Sequence, residues 1–137
     1  MPEHDKTAAI AREWMSKAQN DLKTAAHTLK LGTDCPTDTV CFHAQQCVEK
    51  YLKAALVVLE IPFPRTHDVE VLLGLMPTHV RFSLTVEQQR RLTEYATVMR
   101  YPGPYDPVTL SEAKEAVKLA RRVRREVRKL FEDKPLF

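Results

Sequence analysis

The chain has 137 residues, 44% of them hydrophobic, with only three glycines and a net charge of +3 at pH 7. This length suffices for one hydrophobic core over residues 1–137 but not for two, and the scarcity of glycine favours helices over a turn-rich β protein. The small net charge excludes a molecule that binds polyanions through its overall charge alone. Charged residues near the start argue against a signal peptide, and the lack of a long apolar run argues against a membrane span. We therefore expect a cytoplasmic protein.

The first half of the chain predicts two long amphipathic helices. The first ends near Gly32, a natural C-terminal stop, and its apolar stripe comprises Ala11, Trp14, Met15, Ala18, Leu22, Ala25 and Leu29. Thr37 and Asp38 are the predicted N-caps of the second helix, which Pro62 and Pro64 end because proline cannot donate a backbone hydrogen bond. The predicted buried face of the second helix comprises Val40, Ala44, Cys47, Val48, Tyr51, Ala55, Val58 and Leu59.

Two shorter helices are expected next. Asp68 begins a third helix that runs to about Leu75. Thr85 and Gln88 have the spacing of a capping box, in which each side chain bonds the backbone of the other residue. This box predicts the start of a fourth helix, whose apolar positions are Val86, Leu92, Tyr95, Ala96 and Met99.

The last part of the chain predicts a loop and a final helix. Residues 102–107 contain three prolines and cannot be helical. A second capping box, Thr109 with Glu112, starts a helix that runs to about Phe131. Its predicted buried face comprises Leu110, Ala113, Ala116, Val117, Ala120, Val123, Val127 and Leu130. Long and short helices with short connections predict an all-α, antiparallel up-and-down bundle of four to five helices.

The order of these segments resembles the HEPN domain family from about Ala8 to Leu130. Each segment alone is common in helical proteins, so the resemblance rests on their joint order and spacing. The segments are the first helix with Ala18, Asp21 and Leu22, the helix Phe42–Leu56, Thr66-His67-Asp68, Arg100-Tyr101-Pro102, and Glu112-Ala113 with Ala116 and Ala120. The resemblance implies a homodimer, often encoded beside a minimal nucleotidyltransferase as a toxin–antitoxin pair.

The resemblance also bears on ribonuclease activity. The ribonuclease members carry an arginine followed about four to six residues later by a histidine, which acts as acid or base without a metal. Arg100 matches the arginine, but Tyr105 and Asp106 occupy the positions where the histidine would fall, and all five histidines precede Arg100. A tyrosine is a poor base at neutral pH, and an aspartate between prolines is typical of a turn. Catalysis therefore has no positive support, and Arg100, Tyr105 and Asp106 are the only candidates for it.

Two segments are candidates for binding a nucleotide or RNA. Arg100 could clamp a phosphate while Tyr101 or Tyr105 stacks on a base; alternatively, the arginine caps helix carbonyls and the tyrosines pack the loop. In the last helix one face carries three arginines, which could follow a phosphate backbone or simply form a solvated face. These are Arg121, Arg125 and Arg128.

Histidines elsewhere suggest an interface or a pocket. His43, Cys47 and Lys50 recur at helical spacing on the second helix, but two metal ligands do not make a zinc site, so we predict no metal and no cofactor. We expect His43 and Lys50 in a dimer interface or a hydrogen-bonded core. His67 is predicted to cap the third helix with Asp68, or to line a ligand pocket.

Together these patterns give one leading hypothesis and two alternatives. The leading hypothesis is a catalytically degenerate HEPN protein that binds a nucleotide, RNA or a partner nucleotidyltransferase in a toxin–antitoxin-like system. In this version Tyr105 is the candidate acceptor of a nucleotide from the partner enzyme. The alternatives are a metal-independent endoribonuclease that uses Arg100 with Asp106 or Tyr105, and a purely structural dimeric interaction module.

Overall fold

A computed structural model describes residues 3–132, with side chains from Lys6 onward. This range contains no β-strand, which confirms the predicted all-α bundle, and none of its helices is both long and apolar enough to cross a membrane. The helices are α1 (Glu3–Leu29), α2 (Thr37–Val58), α3 (Val69–Gly74), α4 (Val86–Ala96) and α5 (Leu110–Glu132). Single 3-10 turns lie at Gly32–Asp34 and Val98–Arg100.

Helix α2 is the centre of the bundle and packs against each of the other four helices. Fourteen of its 22 residues are buried, so it has no fully solvated face. Alanines at seven-residue spacing on α1, namely Ala11, Ala18 and Ala25, are all 0% exposed. Because alanine has the smallest apolar side chain, this seam allows α1 to approach the core closely.

The helix ends follow the predicted caps in α3 and α4. The Asp68 carboxylate accepts a hydrogen bond from Val71 N at 3.1 Å. Thr85 and Gln88 form both bonds of the capping box. At α5, Thr109 Oγ1 accepts a hydrogen bond from Glu112 N. The Glu112 carboxylate, however, accepts hydrogen bonds from Arg91 and Tyr95 instead of completing the box. The second box is therefore only half formed.

The predicted starts of α2 and α4 are wrong in detail. The N-cap of α2 is Pro36, without a side-chain bond; the Thr37 hydroxyl instead donates to Val108 O at 2.6 Å and ties the start of α2 to the start of α5. Val86, the first residue of α4, is 50% exposed and contributes no core surface. Both errors occur at helix starts, where one residue of shift turns a side chain by about 100° around the axis.

Candidate functional site

Arg100 is presented on an aromatic ring at the end of α4. The 3-10 turn places its guanidinium carbon 4.8 Å from the centroid of Phe42, close enough for a cation–π contact. The residue is exposed, and it has no ion pair or side-chain hydrogen bond among the described residues. A cleft of about 170 Å³ adjoins it, lined by Asp38, Thr39, Phe42, Tyr95 and Arg100.

The two tyrosines of this segment have different surroundings. The hydroxyl of Tyr105 lies 2.5 Å from Tyr101 O and 3.1 Å from Met99 O, so it packs the loop against its own backbone. A nucleotide transferred to Tyr105 would first have to break these bonds. Tyr101, by contrast, is 63% exposed and is free to stack on a ligand beside Arg100. Asp106 lies in the exposed, non-helical loop and is not brought to Arg100 by any contact among the described residues.

His43 and Lys50 meet at a carboxylate of α1. His43 Nδ1 lies 2.9 Å from one oxygen of Asp21, and Lys50 Nζ donates to the other oxygen at 2.7 Å. We call these three residues the Asp21 cluster. Their side chains are partly open to solvent, with exposed fractions of 29% for His43, 12% for Asp21 and 23% for Lys50. The His43 ring also makes an edge contact with Phe42, at 5.5 Å between centroids.

Glu49, a carboxylate on α2, also contacts a histidine and a lysine, but it is more deeply buried than Asp21. Glu49 Oε1 lies 2.8 Å from His67 Nδ1, and Lys53 Nζ donates to Glu49 Oε2 at 2.9 Å. Gln45 Nε2 donates to the same carboxylate at 3.2 Å and to His67 O at 2.9 Å. We call Gln45, Glu49, Lys53 and His67 the Glu49 cluster. The predicted capping role of His67 is wrong: Asp68 caps α3 alone, and His67 covers a buried carboxylate.

A sequence model of the HEPN domain matches residues 11–130 of the chain. The chain belongs to the HEPN family. Its sequence is 28% identical over 144 residues to "Putative toxin MJ1304" of Methanocaldococcus jannaschii, with 90% of each protein covered.

Two crystal structures are similar over nearly the whole HEPN fold. TT1696 from Thermus thermophilus is 31% identical, with a TM-score of 0.75, and the match covers 87% of this chain and 96% of that one. ST0689, an archaeal HEPN homologue, is 27% identical, with a TM-score of 0.68, and the match covers 88% and 96% respectively.

The last helix of this HEPN domain presents an exposed row of cations, which we call the basic face. It contains the three predicted arginines and three lysines of the same helix, and none of the six has an ion pair among the described residues. Its members are Lys114, Lys118, Arg121, Arg125, Arg128 and Lys129. The row spans about 22 Å along the axis. Arg121 lies eleven residues after Leu110 and so about 16 Å beyond the start of α5, which separates the arginines from the Arg100 segment.

A third ionic cluster of the HEPN domain joins α4 to α5. Arg91 contacts both oxygens of Glu112, at 2.6 and 3.1 Å, and the Tyr95 hydroxyl donates to the same carboxylate. Arg91 and Tyr95 hold the pKa of Glu112 below its ordinary value, whereas burial and the bond to Glu112 raise the pKa of Tyr95. A groove of about 700 Å³ runs beside it between the two helices. Because its arginine and glutamate satisfy each other, this cluster offers a ligand little free charge.

The thiols offer no reactive group. Cys41 and Cys47 are 0% exposed, and burial raises the pKa of each thiol to about 12. Cys47 therefore does not join His43 as a metal-ligand pair: the thiol lies in the core, and the imidazole faces Asp21. In the part of the chain that the structure describes, no group of three or more His, Cys, Asp and Glu side chains could hold a metal ion.

Proposed function

We propose that this HEPN protein is an RNA-binding component of a toxin–antitoxin-like system. Arg100 and Tyr101 would hold one nucleotide, and the basic face of α5 would hold the phosphate backbone further along the strand. The toxin name of the Methanocaldococcus relative supports the kind of system. A minimal nucleotidyltransferase partner and a homodimer, both implied by the resemblance, stay predictions.

The observation that carries the proposal is the unpaired guanidinium of Arg100. The two arginines of α4 are satisfied by carboxylates: Arg90 pairs with Glu70 and Arg91 with Glu112. The Arg100 guanidinium instead lies over the Phe42 ring, 4.8 Å from its centroid, and its N–H groups have no acceptor among the described residues. A guanidinium held in this way suits a phosphate, whose oxygens accept two parallel hydrogen bonds.

The basic face supports the choice of a polymeric ligand over a single nucleotide. Its six side chains lie along about 22 Å of helix, a length that several successive phosphates of a strand can follow. Binding by such a row releases counterions and weakens as the salt concentration rises. A mononucleotide would reach only one or two of these cations.

Titration of the protein with a fluorescent oligoribonucleotide tests the proposal, at about 50 and 200 mM salt. Arg100→Gln should weaken binding about 10- to 100-fold, as expected for lost hydrogen bonds to a charged group. Arg90→Gln is the matched control, since it removes the same charge from an exposed residue of α4 that already has a partner. The double variant Arg121→Gln/Arg125→Gln should lower the salt slope by about 1.4.

Two results would contradict RNA binding at this site. One is the absence of salt-sensitive binding at the lower salt concentration. The other is an equal effect of Arg100→Gln and Arg90→Gln, which would reduce Arg100 to one charge among many. Either result would direct attention to a protein partner, with a minimal nucleotidyltransferase as the first bait in a pull-down.

A further inference from the structure

A cavity of about 440 Å³ lies between the last turns of α5 and the loop that joins α3 to α4. We call it the Phe82 cavity, and its lining residues are His79, Val80, Arg81, Phe82, Glu126, Lys129 and Leu130. Two hydrogen bonds tie the loop to the helix: Ser83 N donates to Glu126 Oε2 at 3.0 Å, and Arg122 donates to Ser83 Oγ at 3.2 Å. The two walls of the cavity are therefore held together.

The rim of the Phe82 cavity carries polar side chains that have no partner. Arg81, Lys129 and His79 are exposed, and none of the three side chains has an ion pair or a hydrogen bond among the described residues. Their N–H groups can all donate hydrogen bonds, and the arginine and the lysine add positive charge. Groups of this kind suit the oxygens of a phosphate.

The less exposed wall of the cavity has a different character. Phe82 and Leu130 are partly buried and pack against the hydrophobic core. Glu126 lines the same wall, and its Oε1 has no hydrogen-bond partner among the described residues. A phosphate placed there would meet a like charge, whereas a flat, uncharged ring can pack against Phe82. The cavity thus combines a rim for an anion with a wall for an aromatic ring, as one nucleotide requires.

Lys129 connects the Phe82 cavity to the basic face, because it belongs to both. Successive residues of a helix are turned by about 100°, so Lys129 lies about 40° around the axis from Arg125 and about 60° from Glu126. It therefore stands between the row of arginines and the cavity. A strand that follows the basic face toward the last turns of α5 reaches the rim of the cavity at this lysine.

We propose that the Phe82 cavity receives one base of the RNA strand whose phosphates follow the basic face. The base would lie against the Phe82 ring, with its phosphate at Arg81 and Lys129. This inference rests on the proposed RNA binding. It also requires a single-stranded ligand, because a base inside a duplex cannot leave its stack to enter a cavity without loss of pairing. Lys129 lies nineteen residues, or about 28 Å, beyond the start of α5, so this base contact is separate from the one proposed at Tyr101.

The test combines variants of the protein with abasic sites in the RNA. The ligand is the shortest fluorescent oligoribonucleotide that binds the intact protein with full affinity, so that it has a single register, and one base at a time is removed from it. In the wild type, removal of the base in the cavity should weaken binding about 10-fold, the usual size of a stacking contact. Phe82→Leu keeps an apolar side chain but removes the aromatic ring. It should weaken binding of the intact strand and abolish the effect of the abasic site at that position, whereas Tyr101→Ala should leave that effect in place.

A second pair of variants tests the phosphate contact at the rim. Arg81→Gln should weaken binding of the intact strand about 10-fold, as expected for lost hydrogen bonds to a charged group. Arg65→Gln is the matched control, since Arg65 is also an exposed loop arginine without an ion pair among the described residues, but it does not line the cavity. This control should stay within about twofold of the wild type.

The outcomes separate this inference from the proposed function. If the wild type binds RNA in a manner that depends on Arg100, but no abasic position loses its effect in Phe82→Leu, the inference is overturned and RNA binding stands. An equal weakening of intact and abasic strands by Phe82→Leu also overturns it, because the ring would then act only through packing. Equal losses in Arg81→Gln and Arg65→Gln overturn the phosphate contact at the rim. If the wild type does not bind RNA, the proposed function fails first, and this inference fails with it.

Discussion

The Asp21 and Glu49 clusters each contain a carboxylate, a histidine and a lysine, yet their surroundings differ. The Glu49 carboxylate and the Lys53 side chain are 5% and 9% exposed, and amide groups of glutamine take up the remaining hydrogen-bonding capacity. Asp21 and Lys50 are 12% and 23% exposed, and His43 keeps one nitrogen free of protein partners among the described residues. Residue type alone therefore does not distinguish the two clusters; burial and unused hydrogen-bonding capacity do.

The largest expected effect comes from Glu49→Gln. This change leaves the Lys53 ammonium buried without a counter-charge, beside the rings of Trp14 and Phe63 at 5.4 and 5.8 Å. We expect the free energy of unfolding to fall by about 3–5 kcal/mol, the usual cost of removing one partner from a buried pair. Urea denaturation measures it.

The control for this comparison is Glu70→Gln. Glu70 and its partner Arg90 are 41% and 69% exposed, so the free energy of unfolding should change by less than about 0.5 kcal/mol. An equally small loss in Glu49→Gln would mean that Lys53 reaches water. The Glu49 cluster would then be no more protected from solvent than the Asp21 cluster.

Glu112→Gln should have an intermediate effect that depends on pH. The pKa of Glu112 is lowered in the fold by its bonds to Arg91 and Tyr95, so the folded state favours the carboxylate form. This stabilisation is complete above the ordinary pKa of 4.5 and is lost as the pH falls through the lower, folded value. The Glu112 side chain is 28% exposed, so we expect solvent to limit the loss to about 1–2 kcal/mol at pH 7.

A pH series of urea denaturation checks this expectation. The difference between wild type and Glu112→Gln should shrink as the pH falls below 4.5. A difference of constant size from pH 7 down to pH 3 would show that the variant loses packing rather than a charge-dependent bond.

The fold was largely predictable because its signals are local. Three such signals are the capping box at Thr85, the proline-rich loop at residues 102–107 and the alanines spaced seven residues apart in α1. Each depends only on neighbours within about two helical turns. The burial of α2 was underestimated, and Gln45, Glu49 and Lys53 lie in the interior although they are polar. Apolar periodicity shows one buried face of a helix, but it does not show how many other helices surround it.

The candidate site was only half predictable. His43, Lys50, His67 and Arg100 stood out by residue type and spacing, and the resemblance drew attention to Asp21. Their partners were not predicted, because the residue that faces His43 depends on the register of α1 against α2, and the ring beneath Arg100 depends on where the turn after α4 meets α2. A search for a histidine downstream of Arg100 could not find His43, which precedes Arg100 in the sequence; tertiary packing brings Arg100 to the ring of Phe42, the neighbour of His43.

The effect of Asp21→Asn on stability should be smaller than those of Glu49→Gln and Glu112→Gln, and it completes the comparison. The change leaves Lys50 and His43 without the carboxylate, but both side chains reach solvent, so water can replace the lost contacts at little cost. We expect the free energy of unfolding to fall by about 0.5–1 kcal/mol in the same urea assay. A loss as large as that of Glu49→Gln would mean that Asp21 serves mainly to hold α1 against α2. Its contacts to His43 and Lys50 would then be worth as much as those of the buried carboxylate, although solvent reaches them.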